Sequence, residues 1–220
     1  MPIRGLLFDA NGVLYRRTRN YDRIEEFLAP YGLHALPREE VKRRMRAEHL
    51  AAQTGRMTIE EYFAAKIRAH GLEDPDGVAA GVRLLMENAA DIELYPNAVE
   101  ALGRLRAVGV RLAIVTDSVH PAERKLGWLE AAGLPHETFD AAVSSVEVGF
   151  AKPDPRIYRA ALERIGVGVA EAGFVGHATD ELEGAADVGL AAIAFRPDDP
   201  EVRADVRIDD LLSLVDLAGC

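Results

Sequence analysis

Two periods of apolar spacing organise this chain. Residues 3–8 form an apolar run that stops abruptly at Asp9, with Gly12 three positions later. Further short apolar runs at 110–115, 141–144, 173–175 and 190–195 read as buried strands. Between them, apolar residues spaced three and four apart predict helices over 96–108, 121–132, 154–165, 180–188 and 208–217. In the first of these, Val99, Leu102 and Leu105 are expected to face inward, and Gly109 closes it. Strands alternating with helices predict an α/β fold with a parallel sheet covered on both faces.

The segment between the first strand and residue 93 breaks that alternation. Ile24, Phe27, Leu28 and Tyr31 repeat at helical spacing, as do Ile59, Tyr62, Phe63 and Ile67, then Val78, Val82, Leu85 and Met86. A further helix is expected over 37–53, with Pro37 in its first turn. Thr58 ahead of Glu60 and Glu61 marks a helix start, because a cap oxygen and first-turn carboxylates serve free amide groups. Residues 16–92 therefore read as a helical bundle inserted into a core made of 1–15 and 93–220. Short linkers are expected at 15–19 and 91–96.

Composition narrows the function classes. At 220 residues, with 49% hydrophobic and 28% charged residues, the chain suits a globular protein with a substantial core. The net charge of −10 argues against a nucleic-acid partner. Residues 16–70 run against that balance, with 12 Lys and Arg and 8 Asp and Glu, which suits either a solvated helix face or a lid that draws in a small anion. No apolar run reaches the roughly 20 residues of a membrane span. The chain enters its first strand without a signal-peptide pattern, and its lone cysteine is Cys220. A cytoplasmic protein, monomer or homodimer, is expected.

The candidate chemistry sits where strands end. Asp9 closes the first apolar run within FDANGVLY, and Thr116-Asp117-Ser118 closes that at 110–115. Lys152 lies in Gly149 to Pro155, and Gly176-His177-Ala178-Thr179-Asp180-Glu181 follows the strand at 173–175. In open parallel sheets, such carboxyl-end loops hold ligands. A carboxylate can form a covalent intermediate, while a hydroxyl and an ammonium can hold anionic oxygens.

In this order and around a helical insert, the four segments resemble the motifs of the haloacid dehalogenase superfamily. The resemblance covers nearly the whole chain. It implies a Rossmann-like core, a helical cap after the first strand, and a hydrolase acting on a small anionic substrate, most simply a phosphate monoester. Asp9 is then the nucleophile, with Asn11, Thr116 and Lys152 as the other catalytic positions. Gly12, Asp117 and Ser118 would contact substrate. Mg2+ would be held by Asp9, the backbone carbonyl of Asn11, Asp180 and Glu181.

Two positions depart from the phosphatase pattern. Asn11 stands where a second Asp exchanges protons with the leaving group, which an amide cannot do; the bland alternative is an Asn selected for turn geometry. His177 replaces an acid that binds magnesium, and imidazole suits that hard cation poorly. Two other readings therefore remain open: a metal-independent 2-haloacid dehalogenase-like hydrolase, for which Tyr158 after Lys152 also fits, and a catalytically weak ligand- or partner-binding protein. A phosphonate hydrolase would need a cap lysine, for which Lys42 and Lys66 are available.

Overall fold

A computed structural model describes residues 3–18 and 22–219. The elements run β1 (Gly5–Phe8), β2 (Tyr15–Arg17), α1 (Asp22–Leu28), α2 (Arg38–Arg44), α3 (Arg46–Gln53), α4 (Ile59–Arg68), α5 (Pro75–Ala90) and β3 (Ile92–Leu94). Then come α6 (Ala98–Ala107), β4 (Arg111–Thr116), α7 (Ala122–Ala131), β5 (Ala141–Ser144), α8 (Ser145–Val148) and α9 (Pro155–Ile165). The chain finishes with β6 (Ala172–Gly176), α10 (Thr179–Val188), β7 (Ala191–Phe195), β8 (Val206–Ile208) and α11 (Ser213–Leu217).

Six strands form one parallel sheet in the order β5-β4-β1-β6-β7-β8. The central strand β1 is buried at every position, which is why it reads as a continuous apolar run. One face packs Leu6, Phe8 and Ile114 against α6 residues Leu102 and Leu105. The other packs Leu7, Ala113 and Phe174 against Ile157, Tyr158 and Ala161 of α9. The mixed α/β architecture expected from the alternation is the one observed.

Helices α1 to α5 gather a separate apolar cluster, including Leu28, Phe63, Ile67 and Leu85, against which Val119 of the β4–α7 loop packs. Thr58 caps α4 reciprocally with Glu61, as the sequence suggests. No helix among the described residues is long and apolar enough to cross a membrane. Cys220 and Arg19 lie outside the described residues.

Four local expectations are corrected. The segment 208–217 is not one helix: Val206–Ile208 pairs with β7 as the edge strand, and only Ser213–Leu217 is helical. The helix over 37–53 is two, divided at Met45, whose φ of −100° and ψ of 16° leave the α region. Val99 is exposed; the buried stripe of α6 is Ala98, Ala101, Leu102 and Leu105, about one residue round the helix. Instead of forming free linkers, β2 and β3 pair as an antiparallel ribbon, Tyr15 opposite Leu94 and Arg17 opposite Ile92.

Candidate active site

The carboxyl ends of β1, β4 and β6 converge because the three strands are adjacent and in register, Phe8 lying opposite both Ile114 and Val175. Asp9 leaves β1 with its amide still donating to the Val175 carbonyl at 2.9 Å, so its side chain is presented from the sheet edge. The turn closes as the Gly12 amide donates to the Tyr15 carbonyl at 2.8 Å. Asp9 and Thr116 are both buried, while Asn11 stays exposed on the turn.

Lys152 decides the electrostatics. Its side chain is fully buried, and Nζ donates to Asp9 Oδ1 at 2.5 Å and lies 2.7 Å from Glu181 Oε1. Burial alone would depress this ammonium, but the Asp9 and Glu181 carboxylates hold it well above its usual pKa. Glu181 is pushed up to about 7, chiefly by burial, against the opposing pull of Lys152. The backbone amide of Lys152 donates to Asp117 Oδ1 at 2.9 Å, which fixes the lysine loop to the end of β4. Burial also raises the Asp117 carboxyl. On the far side, Gly184 of α10 lies so close to this loop that a Cβ there would stand 2.5 Å from Pro153 Cβ.

Ser118 is buried and committed to local structure. Its amide donates to Ser145 Oγ at 2.9 Å, and its own hydroxyl accepts from the His120 amide at 3.0 Å. Gly12 has a φ of +96°, and a Cβ added there would lie 2.4 Å from His177 Nε2. Only glycine admits that approach. His177 Nε2 lies 3.7 Å from Asp9 Oδ2, while Nδ1 lies 3.1 Å from Asp198 Oδ2.

Of the residues expected to hold a metal, Asp9 and Glu181 converge, and His177 joins them. One donor atom from each lies within 4.8 Å of the other two. Asp180 is exposed outside this group, its carboxylate accepting instead from the Glu181 amide at 3.0 Å. Sequence reasoning missed Asp198, which sits 21 residues from its partner in a Pro- and Asp-rich loop and leaves no local signal.

A cavity of about 480 Å³ opens beside the turn, lined by Asn11, Asp117 and Ser118 below and by residues of α2 to α4 above. Lys125 and His120 also line it. Lys125 was detectable in principle: it sits among the buried Ala122, Leu126 and Leu129 of α7, a lysine on an apolar stripe.

The sequence model of the haloacid dehalogenase-like hydrolases matches residues 3–189. The chain belongs to this family. This haloacid dehalogenase-like hydrolase is 31% identical over 201 residues to a phosphatase of Mycobacterium tuberculosis, covering 87% of each chain. It is 35% identical over 158 residues to a phosphoserine phosphatase of Thermus thermophilus, a match spanning 68% of this chain and 62% of that one. Among solved structures, CbbY of Rhodobacter sphaeroides in complex with phosphate has a TM-score of 0.66 at 26% identity, with 96% of each chain covered.

Proposed function

We propose that this hydrolase cleaves a small phosphate monoester through a covalent intermediate on Asp9. The observation that carries this reading is the buried Lys152 ammonium held between Asp9 and Glu181 at the carboxyl ends of the sheet. The phosphatase names among its relatives support it. Asp9 attacks phosphorus and the P–O ester bond breaks, the departing oxygen taking a proton from water; a water then attacks the acyl phosphate, freeing phosphate and restoring the Asp9 carboxylate. Lys152 offsets the repulsion between the carboxylate and the incoming anion, and the Thr116 hydroxyl holds a phosphoryl oxygen. Residues 16–92 act as a cap, with the β2–β3 ribbon as its stem, and shield the reacting group from bulk solvent while admitting the one water that hydrolysis needs.

Lys152→Ala is expected to weaken binding of phosphate or vanadate by about 10-fold or more, the scale of a hydrogen bond to a charged group. Calorimetric titration of both proteins measures this, and equal affinities would remove Lys152 from the anion site.

The residues fit a divalent cation, as the resemblance implies for Mg2+. Lys152 occupies Asp9 Oδ1 and Glu181 Oε1, while Glu181 Oε2 is buried without a hydrogen-bond partner in the protein. Asp9, Glu181 and His177 would hold the ion, which supplies charge neutralisation on the transferred phosphoryl group when bound. Asp198 fixes the His177 ring, as carboxylates commonly do for ligand histidines. Because imidazole suits Mn2+ better than Mg2+, titrations are expected to show tighter Mn2+ binding, and His177→Asp to strengthen Mg2+ binding. Unchanged Mg2+ affinity in the variant would take His177 out of the ligand set.

A further inference from the structure

The cavity beside the Asp9 turn has a wall that the proposed chemistry does not use. Lys125 is 3% exposed, and its Nζ donates to the Tyr15 hydroxyl at 2.8 Å. The rings of Tyr15 and Trp128 flank it at 5.5 and 5.6 Å. No carboxylate lies within ion-pair distance of it among the described residues. An ammonium taken out of water with only a phenol and two rings for partners is poorly compensated. Burial brings its pKa down to about 7.

His120 shares this wall. It is 1% exposed, lies edge-on to Trp128 with centroids 4.7 Å apart, and has Nδ1 buried without a hydrogen-bond partner in the protein. Burial keeps the ring neutral, so it can offer an N–H without adding charge. Above the wall, Arg17, Arg38, Lys42, Arg46 and Lys66 join Lys125 in lining the cavity, against Asp117 as the one acid among the described lining residues. Asp117 is itself bound to the Lys152 loop. The cavity as a whole is therefore built for negative charge beyond that of one phosphoryl group.

We infer that Lys125 and His120 form a second anion site, which receives a carboxylate or phosphate carried by the alcohol part of the phosphate ester cleaved at Asp9. The inference rests on the phosphate-monoester reading and narrows it: the substrate carries two anionic groups, with the second seated against α7. Binding completes the hydrogen bonding that Lys125 and His120 lack within the protein. Tyr62 and Phe63, which also line the cavity, cover the carbon skeleton between the two anions.

The test uses calorimetric binding to the full-length Asp9→Asn protein, which does not turn over. The probes are n-alkyl phosphates of two to five carbons, their ω-carboxy and ω-phospho counterparts, and the corresponding simple carboxylates. At one chain length, a probe with a second anion is expected to bind about 10- to 100-fold tighter than its alkyl counterpart, the range for a charged hydrogen bond. Which counterpart gains more tells carboxylate from phosphate. Lys125→Met should erase that preference and leave alkyl phosphate affinity unchanged, while Lys125→Arg should retain part of it. His120→Phe, which preserves the packing against Trp128, should reduce it and provides a second variant independent of Lys125. Alkyl phosphates that bind with no gain from a second anion, or a gain that survives Lys125→Met, would overturn the second site while leaving the phosphatase reading intact. If no phosphate binds yet a simple carboxylate binds in a Lys125-dependent way, the phosphate reading fails and the anion site stands. If no probe, phosphate or carboxylate, binds in a way that depends on Lys125, the inference fails outright.

Discussion

Asp9→Asn is expected to reduce hydrolysis of any phosphate ester by about 10⁴- to 10⁶-fold, the scale of removing a nucleophile. A carboxamide oxygen is too weak a nucleophile to form the acyl phosphate. The variant should still fold, because Lys152 keeps Glu181 as a buried partner at 2.7 Å. Glu181 should at the same time ionise more readily, since the Asp9 charge is one of the causes holding its pKa up. Steady-state turnover together with a thermal melt separates these effects. Wild-type turnover in a folded variant would place the nucleophile elsewhere.

Asn11→Asp is expected to act in the opposite direction. Asn11 is exposed on the turn two residues after Asp9 and lines the cavity, so a carboxyl group there can reach a departing ester oxygen. Hydrolysis of alkyl phosphates should rise by up to about 10²–10⁴-fold, the usual worth of general acid–base help. Nitrophenyl phosphate should gain much less, because its leaving group departs without a proton. A carbon–halogen bond would gain nothing, since halide needs no proton. If alkyl phosphates stay untouched while metal and phosphate bind, the missing acid is not the limiting defect, and a ligand-binding role for this chain gains ground.

The central strands were legible in the sequence because burial on both faces leaves uninterrupted apolar runs such as Leu6-Leu7-Phe8. Three-residue strands leave no such mark. Val206-Arg207-Ile208 and Tyr15-Arg16-Arg17 become strands only because a neighbouring chain offers hydrogen bonds, information that lies outside their own residues. The site divides in the same way. Asp9, Thr116 and Lys152 were readable because each follows a strand or sits at a fixed motif position. Between Asp180 and Glu181 the sequence offered no choice, yet one helical residue is about 100° of rotation, enough to leave the first in solvent and bring the second to Lys152. The His177–Asp198 contact joins two loops, and no short window of sequence contains it.

The bare Cα of Gly12 places the imidazole of His177 directly over the turn that carries Asn11. Two loops 165 positions apart in sequence, those of Gly12 and His177, therefore pack against each other beside Asp9. Substitutions so close together do not contribute independently. A double-mutant cycle of Asn11→Asp and His177→Asp is therefore expected to depart from additivity, because the turn that carries position 11 rests on the residue at 177. Any residue larger than glycine at 12 would push the His177 ring off this turn and disturb its approach to Asp9.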